Sequence, residues 1–451
     1  MISLGFRVVH RMPKCKESFD EEGLQLLPVV DKSLQKECSK TKGRDADERD
    51  GEHLLTGYQS ALMIFKFCVG AGWFSLPAAF QYSGVLVGVI LIFICGCLTI
   101  YGLQLLVSTS WEVARRNRTE TAYFGDIGAA CGKLVNERWE QIGRLFADIF
   151  LLIGAFFLTC AMILFVANIW KQAFKEQNIL ELDINVWVFV IYVFVLPTIF
   201  IRRPDFLAWF SLIANTFEVI TIVTLMVHIF SKTSSWTVDN TVTWSKLPLT
   251  IGMVFFAFNI APFILSVENK TRKPRQLPLV INVIMIGISF TYVFVGTIGY
   301  VSCFPECEDS IILNLPNFWF YSVCKILMGA AGGITVILAY NIGYDVVKPI
   351  LKSQVPESRF YLISLLFNAL LLTSSAAFTA SVPQLGNVFS LVGSFVAATI
   401  GLLLPAVAHT LLLYDRLSRF TILTNVIFLF CGLFVLFAGV YTSVKEIVKD
   451  Y

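Results

Sequence analysis

Apolar residues run through this chain in long unbroken stretches and not in alternation. Continuous runs near 57–80, 84–107, 143–169, 185–201 and 206–230 are followed by others near 248–267, 278–302, 319–346, 359–381, 385–413 and 421–444. A bilayer core of roughly 30 Å takes about 20 apolar residues in helical form, and each run is near that length. Helices are preferred to barrel strands because a helix satisfies its own backbone within each segment, whereas a lipid-facing strand would alternate. The pattern therefore predicts an all-α membrane protein of about eleven transmembrane helices. If the first ten form two five-helix repeats of opposite orientation, repeat one covers 57–230, repeat two covers 248–413, and 421–444 is an extra helix.

Residues 1–53 break this pattern. They are charged, poor in aromatics and balanced between acid and base, which predicts a disordered tail ahead of a membrane domain over 54–445. No short apolar core with a small-residue cleavage site precedes residue 57, so the first span is expected to direct insertion itself and leave the tail cytosolic. Lys and Arg gather on cytosolic loops. With the tail inside, those loops hold Arg115, Arg116, Arg118, Lys133, Arg138, Arg202, Arg203, Lys270, Arg272, Lys273, Arg275, Lys348, Lys352, Arg359, Arg416 and Arg419. The opposite loops hold Lys171, Lys175, Lys232 and Lys246, so the asymmetry supports the sidedness and puts 446–451 in a short exterior or lumenal tail.

Composition narrows the class further. Charged residues make up 15% of the chain against roughly 25% in soluble proteins, too few to cover a water-soluble fold of this size. The net charge of +3 sits largely where topology needs it and points to no nucleic-acid partner. Most cysteines fall in spans or on the cytosolic side, where thiols stay reduced. Cys303 and Cys307 share an exterior loop, and the sequence leaves open whether they pair. No Cys/His spacing suggests a metal, and no nucleophile and base or phosphate loop suggests an enzyme.

Two spans carry breakers at mid-membrane. The first reads Gly70-Ala71-Gly72-Trp73-Phe74-Ser75-Leu76-Pro77, and the sixth reads Phe255-Phe256-Ala257-Phe258-Asn259-Ile260-Ala261-Pro262. Glycine and proline weaken the helical ladder, so both segments are expected to unwind. Glycines that merely allow close packing and prolines that merely kink would explain either segment alone. Together, at equivalent places in two repeats, they point to a binding site at the midplane.

The same residues resemble a family. Gly70-Ala71-Gly72-Trp73 through Pro77 with Gly84, Tyr123-Phe124-Gly125-Asp126-Ile127-Gly128, Leu196-Pro197, Phe210-Ser211 through Asn215, Glu268-Asn269-Lys270 with Lys273-Pro274, Val382-Pro383 through Gly386, Ser390 through Ser394, and Leu404-Pro405 follow the order and spacing of the amino acid/auxin permease family. The nearest branch is similar to the proton-coupled and vacuolar amino acid transporters. The resemblance implies a leucine-transporter-like fold of five plus five inverted helices with one more. It also implies a secondary transporter that takes small amino acids between spans one and six by alternating access.

On that implication, the amides of Gly70, Ala71 and Gly72 meet the substrate carboxylate, since a helix amino end favours anions. Carbonyls around Phe256–Asn259 take the ammonium group, Trp73, Phe256 and Phe258 limit side-chain size, and Ser75 completes the candidate set with Asn259. No cofactor is implied beyond a coupling ion. Cys68 stands where the branch carries asparagine and Asn259-Ile260 where it carries Glu-Gly. The first departure disfavours a sodium site, which wants oxygen ligands, and the second puts simple proton coupling in doubt. Glu218, inside the fifth run, is either a proton-carrying or gating group or a protonated structural carboxyl. Lys66 is either coupled to protons or a snorkelling or interhelical partner.

The partners expected are an amino acid and the lipid bilayer. The sequons at Asn117 and Asn269 fall in cytosolic loops and are expected to stay unmodified. Glu22 with Leu26-Leu27 and Asp50 with Leu54-Leu55 resemble acidic dileucine sorting signals, which tilts a plasma-membrane or lysosomal/vacuolar location towards the latter. An amino-acid sensor or scaffold that binds substrate but mainly signals is the competing class.

Overall fold

The computed structural model describes residues 49, 54–200, 204–231 and 240–449, the side chains of 204–211 and 353 excepted. The expected disordered tail other than Arg49 and Leu54-Leu55, together with Arg202, Arg203 and Lys232, lies outside the described residues. The described part is almost wholly helical.

Helix α1 spans Gly57–Cys68 and starts on a capping box, in which Thr56 accepts from the Gln59 amide and the Gln59 side chain accepts from the Thr56 amide. After a two-residue break, α2 runs from Ala71 to Asn117. At 1.5 Å per residue a straight helix of that length would be about 70 Å long, more than twice the hydrocarbon core. It turns at Gly84, whose φ of 66° and ψ of 172° are non-helical and suit glycine. The 47-residue element thus carries the second half of the first apolar run and all of the second.

There follow α3 (Phe124–Val135), α4 (Trp139–Glu176), α5 (Ile184–Val195, extended by a tighter turn to Phe200) and α6 (Pro204–Ser231). Next come α7 (Leu247–Ala257), α8 (Ala261–Lys270), α9 (Leu277–Cys303), α10 (Trp319–Gln354) and α11 (Glu357–Ser381). Helix α12 (Leu385–Val392) continues through a wider-wound stretch, Gly393–Leu403, into α13 (Leu404–Leu413), before α14 (Arg419–Phe434) and α15 (Val440–Lys449). Among the described residues nine helices are long and apolar enough to cross a membrane, with Ile184–Phe200 a shorter apolar one. Those nine do not map one to one onto the expected runs, because α2 merges two of them and the fourth run forms the short helix.

Helix α3 is an addition to the expected topology. The residues between the second and third runs read as a cytosolic loop, yet Phe124–Val135 is helical and packs along α4. Its glycines explain how: a β-carbon on Gly128 would lie 2.2 Å from the Gly143 carbonyl oxygen, so only hydrogen permits this approach.

The packing pairs spans across the two halves of the chain. The segment entering α1 pairs with the segment leaving α8, Leu55 N–H donating to Lys270 O (2.7 Å) and Arg272 N–H to Leu55 O (2.8 Å). The start of the first span therefore lies beside the end of the sixth. The later part of α2 packs on α9, and α4 packs on α10, so spans two and three each meet the span five further on. Close packing in the middle uses glycine again: Gly252 of α7 and Gly393 approach so nearly that a β-carbon on Gly393 would overlap the Gly252 carbonyl oxygen. At the end of α9, Cys303 and Cys307 form a disulfide with Cα atoms 5.0 Å apart.

Candidate substrate-binding site

The two expected interruptions are present. Helix α1 closes with the Val69 amide donating to Phe65 O (3.0 Å), and Gly70 is extended, so α2 begins afresh at Ala71. The amides of Gly70, Ala71 and Gly72 have no backbone acceptor and no side-chain cap among the described residues. Such orphan donors, at the positive end of a helix, are a ready anion site.

In the sixth span α7 stops at Ala257 and α8 resumes at Ala261. Between them Phe258 N–H reaches Val254 O (3.1 Å), Asn259 N–H reaches Phe256 O (3.3 Å) and Ile260 N–H reaches Phe258 O (2.7 Å), an irregular set that Pro262, lacking a donor, helps to keep from closing. The breaks touch: a β-carbon on Gly72 would stand 2.6 Å from the Ala257 Cα.

Asn259 is 8% exposed, yet neither its Oδ1 nor its Nδ2 has a hydrogen-bond partner. Leaving a buried amide unpaired costs about 1–3 kcal/mol per group, which makes both atoms candidates for bonding a ligand. The indole Nε1 of Trp73 is also buried and unpaired. Phe256 stacks on Phe389 at 4.3 Å between centroids, forming an apolar wall from spans six and ten, while Phe258 turns to Tyr292 at 4.7 Å. The Ser75 hydroxyl donates to the Gly72 carbonyl (2.8 Å), which ties it to its own helical turn.

Glu218 comes to the same place from the fifth span. Its Oε1 lies 3.9 Å from where a Gly70 β-carbon would be, beside the break in span one. Among the described residues it forms no ion pair or hydrogen bond, although Lys66, one turn before the break, is near enough to interact with it electrostatically. Gly70 thus lies beside Glu218 and Gly72 against Ala257, whereas Ser75 bonds its own helical turn and Phe258 packs on Tyr292.

Two features lay beyond sequence reasoning. Tyr292 of α9 reaches both breaks, and nothing marks it among the aromatics of the seventh run. At the end of α8, Glu268 is fully buried and accepts from Arg49 Nη2 (2.8 Å) and Trp111 Nε1 (2.8 Å), while Arg49 Nη1 also reaches its carbonyl (2.7 Å). Glu268 was legible as part of a motif, but Arg49 lies in a stretch that reads as tail. In the connection between α9 and α10, Asp309 accepts from the Gly386 amide (2.9 Å) at the start of α12. Burial pushes its carboxyl above the usual range, opposed by that amide and by Lys246. Among the described residues no group of three or more His, Cys, Asp and Glu could hold a metal ion.

The family model for transmembrane amino acid transporter proteins matches residues 55–445. The chain belongs to that family. The Drosophila melanogaster protein described as "proton-coupled amino acid transporter-like protein pathetic" is 23% identical over 423 residues, covering 91% of this chain and 89% of that one. Amino acid transporter ANT1 of Arabidopsis thaliana is 24% identical over 424 residues, covering 88% and 94%. Among solved structures, a Na+-coupled sialic acid symporter in a substrate-bound outward-open state aligns with TM-score 0.46 and 12% identity, over 91% of this chain and 96% of that one. A manganese transporter of Eremococcus coleocola aligns with TM-score 0.43 and 12% identity, over 93% and 97%. This membership, with several membrane-length apolar helices, makes the chain a multi-pass membrane protein and points to transport rather than catalysis.

Proposed function

We propose that this family member is a secondary active transporter that moves small amino acids by alternating access at the meeting point of the two broken helices. The observation that carries the proposal is the unpaired, buried Asn259 amide in a break that touches, through Gly72 and Ala257, a second break with the orphan amides of Gly70–Gly72. A zwitterion suits this arrangement. Its carboxylate is matched by the amino end of α2 and its ammonium group by the carboxyl end of α7, while Trp73 and the Phe256–Phe389 stack bound the space for its side chain. Glu218, beside Gly70 and without a close partner, is the proton-carrying group in this reading, with Lys66 modulating its charge. The printed name of the Drosophila relative supports proton coupling, and the residues at 68 and 259 depart from the pattern that would make it simple.

The amino terminus is assigned to the cytosol from the loop charges. The membrane is assigned to the plasma membrane or a lysosomal or vacuolar one. The test is uptake of radiolabelled amino acids into proteoliposomes by the wild-type chain and by Asn259→Ala, which should lose uptake while remaining folded. Uptake by the variant equal to wild type would refute the site.

A sensor is the second reading. Arg49, at the border of the tail, is bonded to Glu268 of α8, the helix that begins at the break in the sixth span, which would let occupancy of the site act on Arg49. Retained substrate binding without flux would favour it.

A further inference from the structure

Tyr292 is fully buried in α9, and its hydroxyl donates to two carbonyl oxygens, those of Cys68 and Ala257, each at 2.6 Å. These are the last residues of α1 and α7, so one phenol closes both half-helices at the points where they stop. The final carbonyls of a helix have no donor within it, and they carry the negative end of the helix dipole. Two such ends brought together repel unless something positive stands between them. Here that is the phenol hydrogen, and since a hydroxyl carries only one, the two carbonyls share it or take it in turn.

We propose that Tyr292 is a positioning residue of the transport site. Its hydroxyl sets the distance between the two breaks at which the orphan amides of Gly70–Gly72 and the unpaired Asn259 side chain face one ligand. The proposal deepens the substrate-site reading and rests on it. Three features make the hydroxyl, and not the ring, the acting group. The bonds are made to backbone, so no rotamer change nearby can replace them. The acceptors sit on two different spans, so losing the hydrogen frees both breaks at once. The ring contact with Phe258 would survive removal of the oxygen. When the spans part during alternating access, one carbonyl is released first, and the bridge becomes a bond to the other.

The test compares wild type, Tyr292→Phe and Tyr101→Phe in proteoliposomes. The probe is the radiolabelled proteinogenic amino acid that wild type takes up fastest. Tyr101 hydrogen-bonds Asn425 of α14 (2.6 Å) and controls for loss of a phenol oxygen away from the breaks. Tyr292→Phe should raise KM roughly tenfold, equivalent to about 1.4 kcal/mol. Its melting temperature without substrate should move no more than that of Tyr101→Phe, whose KM stays at the wild-type value. A KM within twofold of wild type in Tyr292→Phe, or a loss of thermal stability with KM unchanged, overturns the proposal. Should Tyr292→Phe not fold, 3-fluorotyrosine placed at 292 keeps the ring and strengthens the donor. KM should then fall about twofold, and an equal or higher KM overturns the bridge. If wild type itself takes up no amino acid, the substrate-site reading fails and this proposal with it; if wild type transports and the 292 variants match it, the bridge alone fails.

Discussion

A single methyl group at Gly72 should disable the site, and the structure sets the size of the effect. The β-carbon of Gly72→Ala would lie 2.6 Å from Cα, 3.0 Å from N and 3.2 Å from Cβ of Ala257. Carbon atoms pack best at roughly 3.5–4.0 Å, so the breaks would have to separate by about 1 Å. The obstruction is backbone, which cannot rotate aside as a side chain could. Overpacking of this kind costs about 1–3 kcal/mol, which as lost binding is about a fivefold to 150-fold rise in KM. Gly287→Ala on α9 is the control, since no atom lies within 4 Å of the added carbon. Alanine in a helix interior is favoured over glycine by about 0.5–1 kcal/mol, so that variant should keep its uptake and melt no lower than wild type. The assay is concentration-dependent uptake in proteoliposomes, with melting of the detergent-purified protein measured alongside. Wild-type KM in Gly72→Ala would show that the two breaks do not form one site.

Glu218→Gln keeps the shape of the side chain and removes its titrating proton. Accumulation driven by an imposed proton gradient should collapse while exchange of labelled for unlabelled substrate persists, and undiminished accumulation would remove Glu218 from coupling. Arg49→Ala leaves the Glu268 carboxylate buried without its cation, and breaking a buried pair costs about 3–5 kcal/mol, here charged to the cytosol-closed form. In a chain whose other free cysteines are serine, Cys68, now 2% exposed, should react faster with an impermeant thiol reagent added from the cytosolic side. Unchanged labelling would contradict this role for the pair. Asp309 has its pKa raised mainly by burial, so the folded chain holds a proton there that the unfolded chain has released. Its contribution to stability is therefore present below the usual carboxylate range and is lost as pH rises through the raised value. Melting temperature should fall with pH across that window in wild type and less so in Asp309→Asn; parallel curves would refute the assignment.

The features legible in the sequence are those that depend on local chemistry. Uninterrupted apolar runs showed where helices lie, and the glycines and prolines of the first and sixth runs marked both breaks, because backbone irregularity is written in residue types that cannot sustain a helix. Glu218 was visible as a charge where lipid or protein should be apolar. Contacts made across long distances in sequence were not legible. Tyr292 looks like any aromatic of an apolar run until folding brings Cys68 and Ala257 to its hydroxyl. Arg49 looks like one more tail residue, and its pairing with Glu268 spans 219 positions of sequence. Helix α3 escaped notice because it is too short and too polar to resemble a span, and its glycines acquire meaning only against residues of the next helix, Gly143 among them. Ser75 was chosen for its hydroxyl, but a serine in a helix readily bonds its own preceding turn, as this one does with Gly72.

The central claim is that the two broken helices form a transport site for amino acids. Its most direct test is uptake of a panel of radiolabelled proteinogenic amino acids into proteoliposomes, with proton and sodium gradients imposed separately. The account predicts accumulation of small amino acids above the equilibrium level when the proton gradient is present and no additional accumulation from sodium. Binding of an amino acid with no uptake under either gradient would contradict it.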